Sequence, residues 1–315
     1  MKGTFVITGA NWGLGSNLVS QFLRSSYAKD YKGLFAVRIP ASADTLKKVL
    51  AGSSNANDHE IIAVDLSTLA SVRAATKDLN QRVASGSIPH IRAVVLNAAL
   101  QHNMLYSRHE STDDGLEASF AVNYLSHFLF TNLLLQSMDP KGRIVVVSSW
   151  THDPSYYVNS GHITNEQHKT VIPEGGPQVL AKPPSKAAKG DEYKAGMRRY
   201  GMSKTLMVMF MYELQRRLAG TKYSDISVLA VDPGAMGDSG LFKESPAALR
   251  FVLHWMLAPL AVVTTILSPN GNFRTPKKSA KDLLNSSFEE GTLGKHPKAA
   301  YLNGSAKMKP SKEAI

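Results

Sequence analysis

The stretch Thr4-Phe5-Val6-Ile7-Thr8-Gly9-Ala10-Asn11-Trp12-Gly13-Leu14-Gly15 decides the fold of this chain. Its apolar residues 5–7 predict a short buried strand, and the apolar residues at 14, 18, 22 and 23 recur at helical spacing. Between strand and helix lie three glycines in the pattern TGxxxGxG. A strand, a glycine-rich turn and a helix form the entry of a dinucleotide-binding fold. An ordinary glycine-containing loop is the alternative for these three glycines alone.

A bound pyrophosphate would explain why glycines occupy these positions. Gly9 permits a tight turn, and Gly13 and Gly15 let the backbone approach the phosphates. The phosphates would then lie at the positive N-terminal end of the helix. The stretch therefore predicts a nucleotide cofactor, provided that the following strands also end in suitable residues.

Composition allows one large α/β domain. The chain has 315 residues, and 43% of them are apolar, which is enough for a substantial core. The net charge of +11 suits nucleic acid, a membrane surface or an anionic cofactor, but no long Lys/Arg block occurs, so nucleic acid is not expected as a partner. Cysteine is absent, which excludes disulfides, and no signal-peptide pattern precedes the first strand, so we expect a cytoplasmic protein.

The next two predicted strands end in residues that suit a dinucleotide. Residues 34–37 end at Arg38, about twenty residues past the glycine turn, where an NAD-binding chain usually carries an acidic residue. Arginine would instead bind a 2′-phosphate, with a solvated surface arginine as the alternative. Residues 61–64 precede Asp65-Leu66, where the carboxylate suits adenine or an N-cap for the amphipathic helix expected at 69–84.

The fourth predicted strand, residues 91–96, ends in Asn97-Ala98-Ala99. Small residues at this point would let a nicotinamide ribose lie close to the backbone. A long helical pattern follows at about 115–137 and contains Asn123 among apolar neighbours. A buried asparagine needs hydrogen-bond partners, so Asn123 is either functional or a helix-packing residue.

The fifth predicted strand, residues 142–149, ends in two serines, and Tyr200-Gly201-Met202-Ser203-Lys204 opens a later helix. Tyr200 and Lys204 are four residues apart and so share one helix face. A nearby ammonium lowers the pKa of a phenol, and a serine hydroxyl can orient a carbonyl. These groups can deliver a proton to a carbonyl oxygen while hydride arrives from a nicotinamide. An exposed helix pair is the alternative for YxxxK alone.

These segments, in this order, resemble the short-chain dehydrogenase/reductase family over about residues 3–240. The resemblance implies a Rossmann-type, doubly wound parallel sheet of about seven strands with helices on both faces. It implies that Tyr200 is the acid/base, that Lys204 lowers its pKa and holds the ribose, that Ser149 binds the substrate oxygen, and that Asn123 positions a relay water. With Arg38, the expected cofactor-binding residues are Gly9, Asn11, Trp12, Gly13, Leu14, Gly15, Asp65, Leu66, Asn97, Ala98, Ala99, Tyr200, Lys204, Pro233 and Gly234.

Several phrases are similar to the retinol dehydrogenase and protochlorophyllide reductase branch of the family: TGANWGLG, VNYLSHFLFTNLLL, RIVVVSS and residues 200–218. This branch often uses NADPH and oily substrates. One departure is the long insert at 150–199, whose middle, residues 173–190, is rich in Pro, Gly, Ala and Lys and predicts a mobile surface loop. The insert holds His152, His162 and His168, but their spacing supports no metal site, and we expect none.

The sixth predicted strand, residues 226–231, closes with Asp232-Pro233-Gly234, a turn that in the family lies beside the nicotinamide. The family's threonine after this turn is missing, which leaves contact with the cofactor phosphate open. The residues at 251–268 then read FVLHWMLAPLAVVTTILS. This segment is either a substrate lid, with Trp255, Met256, Leu257 and Leu260 facing an oily molecule, or a monotopic membrane contact, or a membrane span. A helix at 275–287, a last strand at 301–304 and a frayed polar tail from Ser305 complete the expectations.

The chain is therefore expected to be a single reductase domain over 1–315, with the insert at about 150–199 and an apolar substrate-covering segment at about 241–270. The expected activity is NADPH/NADP+-dependent interconversion of a ketone or aldehyde of an apolar small molecule and its alcohol. The alternatives are reduction of a carbon–carbon double bond on the same site and a non-catalytic nucleotide-sensing protein. A homo-oligomer and membrane association remain open.

Overall fold

Eight strands form one sheet in the order β3-β2-β1-β4-β5-β6-β7-β8. The computed structural model describes residues 1–53, 58–101, 111–183, 189–236 and 258–315. Neighbouring strands run parallel from β3 to β7, and β8 is antiparallel to β7. The strands are β1 Gly3–Thr8, β2 Tyr31–Val37, β3 His59–Ala63, β4 Ile91–Leu96, β5 Met138–Val147, β6 Ser227–Asp232, β7 Ala300–Asn303 and β8 Ala306–Met308.

Helices cover both faces of the sheet because side chains alternate along each strand. Val6 of β1 packs with helices α4, α6 and α8, whereas Phe5 and Ile7 pack with helices α1, α3 and α10. The predicted doubly wound α/β class is confirmed. The α-helices are α1 Gly13–Arg24, α2 Tyr27–Asp30, α3 Asp44–Ala51, α4 Leu69–Ala84, α5 Ala118–Phe120, α6 Ser126–Leu134, α7 Pro177–Ala181, α8 Glu192–Leu218, α9 Ala258–Leu267 and α10 Pro276–Phe288.

Three expected elements differ from the structure. The helix at 115–137 is interrupted by a π-helical turn, Ala121–Leu125, between α5 and α6. Helix α8 begins at Glu192, so Tyr200 lies inside the helix and not at its start. The expectation of a frayed tail is wrong: Ser311 and Ala314 are buried, because the tail after β8 folds back against the body of the protein.

The carboxyl ends of the parallel strands bring the predicted site residues to one edge of the sheet. β1 ends at Thr8, β4 at Leu96, β5 at Val147 and β6 at Asp232. The strand order reverses between β1 and β4, which is the switch point where doubly wound sheets bind their ligands.

The insert and the apolar segment are described only in part. Residues 184–188 of the insert and 237–257, which include Trp255, Met256 and Leu257, lie outside the described residues. The described part of the insert forms short turns, α7 and, at residues 192–199, the first turns of α8. Within the described ranges, no helix combines the length and the apolar character that crossing a membrane requires. Helix α9 leaves most of its large apolar side chains exposed, Ile266 by 74% and Leu267 by 79%.

Candidate active site

The glycine turn between β1 and α1 has the shape that the sequence predicts. Gly9 and Gly13 have φ values of +68° and +50°, which residues other than glycine rarely adopt. A Cβ on Gly15 would stand 2.1 Å from the carbonyl oxygen of Gly9. The turn therefore packs backbone on backbone, and it leads directly into the N-terminus of α1, where the N-cap is Trp12. No acidic residue stands in the first turn of α1, so an anion would meet no repulsion there.

Asn97 and Thr8 hold this turn against the end of β4. The Asn97 side chain donates to the carbonyls of Thr8 at 2.9 Å and Gly9 at 3.2 Å. The Thr8 hydroxyl accepts from the backbone N–H groups of Asn97 at 3.0 Å and Ala98 at 3.1 Å. A Cβ on Gly9 would lie 2.8 Å from the Cα of Ala98. Asn97 and Ala98 thus support the glycine turn, and Ala99 follows them towards the switch point.

The residues expected around the adenosine part lie at the ends of β1, β2 and β3. Arg38 is exposed directly after β2, and within the described ranges it makes no ion pair. Asn11 accepts from the backbone N–H of Leu46 in α3 at 3.0 Å, so its side chain fixes the loop. Asp65 accepts from the N–H of Ser67 at 2.9 Å, whereas Thr68 supplies the N-cap of α4. The neighbouring Leu66 is buried.

Tyr200, Ser149 and Lys204 meet at the end of β5. The Ser149 hydroxyl adjoins the Tyr200 phenol and favours its ionised form. The Lys204 ammonium donates to the carbonyl of Val147 at 2.9 Å and lies 5.6 Å from the centre of the Tyr200 ring. Tyr200 and Lys204 are 6% and 2% exposed, respectively, because both project from α8 towards the sheet. The structure therefore brings three of the four expected catalytic side chains together.

Burial sets the ionisation of this group. It raises the pKa of Tyr200 above its ordinary value of 10.0, Asp232 adds to the rise, and the Ser149 hydroxyl opposes it. This direction is opposite to the lowering that the Tyr–Lys pair alone implies, because loss of solvation is the largest influence on the phenol. Burial also lowers the pKa of Lys204 to about 8. Tyr200 is accordingly a neutral phenol at physiological pH.

Asn123, the fourth expected catalytic residue, lies in the π-helical turn and is 1% exposed. Its amide donates to the carbonyl of Leu100 and to the hydroxyl of Ser203, both at 2.9 Å, and its oxygen accepts from the N–H of Leu100 at 2.7 Å. Ser203 in turn donates to the carbonyl of Tyr200 at 2.7 Å. Asn123 is thus linked to the backbone of Tyr200 through one hydroxyl. The irregular turn follows a known tendency of π-bulges to occur at functional sites.

The Pro233-Gly234 turn closes the site beside β6. Gly234 has a φ of +72°, and its N–H donates to the Asp232 carboxylate at 2.8 Å. Arg274 is 1% exposed and donates to the carbonyl of Asp232 at 2.9 Å. The Asp232 carboxyl is buried, which raises its pKa, while the cations of Arg274 and Lys204 oppose that rise.

Comparison with known proteins identifies the family. A family model described as short chain dehydrogenase matches residues 3–160. The short-chain dehydrogenase iccH of Talaromyces variabilis is 40% identical over 329 residues, which cover 96% of this chain and 88% of that protein. The chain belongs to the short-chain dehydrogenase/reductase family. The predicted resemblance is confirmed, and the chain is an oxidoreductase of that family.

More distant relatives agree with the branch that the sequence phrases indicate. Retinol dehydrogenase 14 of Mus musculus is 30% identical, over 73% of this chain and 60% of that protein. Protochlorophyllide reductase of Chlamydomonas reinhardtii is 28% identical, over 77% of this chain and 58% of that protein. Among solved structures, landomycin C-6 ketoreductase LanV with bound NADP and rabelomycin has a TM-score of 0.57 at 18% identity, over 96% of this chain and 95% of that one. At this identity the likeness concerns the fold.

Four residues of this short-chain dehydrogenase/reductase site were not singled out from the sequence for the roles found here. Ser203 stands inside the YxxxK motif, and His127 follows Asn123 by one helical turn, so spacing was a usable signal for both. His127 contacts the carbonyl of Asn123 at 3.1 Å and the hydroxyl of Thr8 at 3.0 Å, and burial lowers its pKa to about 4. Asp232 and Arg274 meet only in the folded chain and left no signal.

Proposed function

We propose that this protein is an NADPH/NADP+-dependent reductase that converts a ketone or aldehyde of an apolar small molecule into an alcohol, or catalyses the reverse. The observation that supports this most is the buried, neutral phenol of Tyr200 beside Ser149 and Lys204. A neutral phenol can give up its proton to a developing alkoxide, which is the general-acid step that carbonyl reduction needs. A nucleotide-sensing protein without catalysis has no need to retain these three groups together.

The residues at the sheet edge fit a dinucleotide. The backbone cradle leaves no space for a side chain at Gly9 or Gly15, Gly13 has a positive φ, and the cradle opens onto the N-terminus of α1. NADPH bound there would supply a hydride from its nicotinamide ring. Pro233 and Gly234 close the opposite side of the same edge, next to β6.

Each catalytic side chain has a distinct role in the proposal. The Ser149 hydroxyl orients the substrate oxygen, and Tyr200 donates its proton to that oxygen. Lys204 binds the ribose hydroxyls and stabilises the phenolate that remains. Both hydrogens of the Asn123 side-chain amide already take part in hydrogen bonds. A relay water at this residue therefore has to donate a hydrogen bond to an oxygen atom of Asn123.

Arg38 supports a preference for NADPH over NADH. It is exposed at the end of β2, where the 2′-substituent of the adenosine ribose lies in this fold. A charge-assisted hydrogen bond to a phosphate contributes roughly 1.5–3 kcal/mol, or about tenfold or more in affinity. We expect Arg38→Ala to weaken NADPH and not NADH, measured by titration of both cofactors. Lys48→Ala removes an exposed cation from nearby α3 and is the matched control; equal wild-type affinities for both cofactors would refute the preference.

The proposed substrate is an apolar molecule such as a polyketide, terpenoid, steroid or retinoid-like compound. The insert and the segment around α9 meet above the sheet edge: Tyr156 donates to the side chain of Asn272 at 2.8 Å, and the carbonyl of Asn272 accepts from Ala235, next to the Pro233-Gly234 turn, at 2.7 Å. Both segments therefore adjoin the region where Ser149 and Tyr200 meet. Relatives named for retinol and for a polyprenol are consistent with an oily substrate.

Reduction of a carbon–carbon double bond is the second candidate, because a protochlorophyllide reductase is among the relatives. The experiment that tests the proposal is a screen of apolar ketones, aldehydes and enones, with consumption of NADPH and product identity as the readout. We expect alcohols as products. Saturated ketones formed from the enones, with simple ketones and aldehydes left unreduced, would favour the second candidate.

A further inference from the structure

We propose that His152, held in place by the C-terminal tail, is a positioning residue for the catalytic Ser149. The C-terminal tail is defined here as residues 309–315. The proposal rests on the proposed function, since it assigns a role in the same reaction. It goes beyond that function because it makes turnover depend on a segment at the far end of the chain.

The turn that follows Ser149 is pressed against the helix that carries Tyr200. This turn, Trp150–His152, begins at Ser149, which is its N-cap. A Cβ on Gly201 would lie 2.7 Å from the carbonyl oxygen of Thr151, so turn and helix touch backbone to backbone. The Thr205 hydroxyl donates to the carbonyl of His152 at 2.8 Å. The distance between Ser149 and Tyr200 therefore depends on how this turn is held.

The His152 ring joins this turn to the C-terminal tail. Its Nε2 atom accepts from the backbone N–H of Ser311 at 3.0 Å, and its Nδ1 atom lies 2.8 Å from the carbonyl oxygen of Ser149. A backbone N–H can only donate, so Nε2 must be unprotonated and Nδ1 must carry the ring proton. Nδ1–H then donates to the carbonyl of Ser149. The ring is thus a neutral imidazole with one defined tautomer.

The C-terminal tail can hold the His152 ring in place because the tail is itself anchored in the core. Ser311 is 5% exposed, and Ala314 is 1% exposed within the apolar cluster that includes Leu214 and Leu218 of α8. The ring also packs against the ring of Tyr301 in β7, tilted by 41° with ring centres 4.9 Å apart. His152 itself is 4% exposed, and burial lowers its pKa, which keeps the ring neutral. Tail, β7 and α8 together fix the ring, and the ring fixes the backbone of Ser149.

Two substitutions of Ser311 distinguish the contribution of its backbone N–H from that of its hydroxyl. Ser311 has a φ of −52° and a ψ of 148°, which proline adopts, but the proline Cδ takes the place of the amide hydrogen that lies against His152 and so displaces the ring. Ser311→Pro therefore removes the N–H and the hydroxyl, whereas Ser311→Ala removes the hydroxyl and keeps the N–H. We expect Ser311→Pro to lower kcat by about tenfold to a hundredfold, the effect of a small misplacement of a catalytic group, with the Kd for NADPH unchanged. Ser311→Ala should retain wild-type kcat.

A merely structural role for the tail would lower kcat and NADPH binding together, or would affect both variants equally; either result overturns the proposal, as does wild-type kcat in Ser311→Pro. Should the wild type reduce double bonds and not carbonyls, the proposed function fails by itself, and the two Ser311 variants are then compared on that reaction.

Nitrogen NMR of the full-length wild type, labelled at histidine, supplies a readout that needs neither turnover nor a variant that folds. We expect the His152 signal to be that of a neutral ring protonated at Nδ1, and we expect Ser311→Pro to admit the tautomer protonated at Nε2. A wild-type ring protonated at Nε2 would contradict the geometry and overturn the proposal.

Discussion

At the scale of single residues, the site depends on a phenol that burial keeps protonated. Tyr200 is almost fully buried, and this burial raises the pKa of its phenol. We expect Tyr200→Phe to keep the fold and NADPH affinity while kcat for carbonyl reduction falls by roughly 10²–10⁴-fold, the usual worth of a general acid. Tyr212→Phe, a half-buried tyrosine on the same helix, is the control and should stay active. Near-normal turnover in Tyr200→Phe would show that Tyr200 is not the proton donor.

Lys204 should give cofactor binding and stability opposite dependences on pH. Burial lowers its pKa from 10.5 to about 8, so its ammonium is lost as the pH rises through about 8, and NADPH affinity should fall in that range. Between about pH 8 and 10.5 the unfolded chain binds more protons at Lys204 than the folded chain does, so the contribution of this residue to the free energy of unfolding rises with pH.

Titrations of NADPH and denaturant at several pH values check this expectation, with Lys204→Met as the control that should lack both trends. A wild-type NADPH affinity that stays constant across pH 8 would contradict the shifted pKa of Lys204.

The sequence predicts those site residues whose pairing follows from their local spacing. Tyr200 and Lys204 share a helix face, and their pairing follows from the period of the helix. The contact between His152 and Ser311 joins residues 159 positions apart, and no local pattern marks it. The same holds for Arg274 and Asp232, which meet only because α10 follows β6 onto the same side of the sheet. Supporting residues of this kind require the folded chain.

At the scale of elements, the turn from β1 to α1 has no room for a side chain at Gly15. We expect Gly15→Ala to abolish measurable NADPH binding, because the added Cβ would stand 2.1 Å from the carbonyl oxygen of Gly9 and the backbone must shift out of its phosphate-binding shape. Gly161→Ala is the control, since a Cβ there meets no atom within 4 Å. Calorimetric titration with NADPH measures both, and normal binding by Gly15→Ala would show that the turn does not hold the pyrophosphate.

Variants of helix α9 can distinguish the two roles that the sequence left open, a substrate lid and a membrane contact. Its exposed side chains include Leu260 at 48% and Val263 at 52%, one turn apart on the same side. If α9 belongs to a lid that binds the substrate, Leu260→Ser with Val263→Ser raises KM for apolar substrates and leaves NADPH affinity unchanged. Unchanged KM together with lost binding to lipid vesicles would contradict the lid and assign α9 to a membrane surface.

Element boundaries were predictable where burial is continuous and less so where packing interrupts a pattern. The fourth strand was predicted at its observed bounds, Ile91–Leu96, because both flanks are polar or small. The interruption of the helix around Asn123 was not predictable, because the apolar pattern continues through the π-helical turn. In that turn the carbonyl of Asn123 is hydrogen-bonded to the His127 ring. The tail after Ser305 looked polar along the chain, yet Ser311 and Ala314 are buried by contacts with distant elements.

At the scale of the whole molecule, two helical layers bury both faces of the sheet and leave its carboxyl edge as the place for chemistry. Thr8, Val147 and Asp232 end their strands at this edge, so the glycine turn, Ser149 and the Pro233-Gly234 turn lie together although the sequence separates them widely. The central claim is that a hydride and a proton meet a carbonyl at this edge.

The most direct test follows where the hydride goes. The protein is incubated with an apolar enone and NADPH that carries deuterium at the transferable position, and the product is analysed by mass spectrometry and NMR. We expect an allylic alcohol with deuterium on the former carbonyl carbon, and no such product from Tyr200→Phe. Deuterium on the β-carbon of a saturated ketone, with the carbonyl intact, would contradict the account.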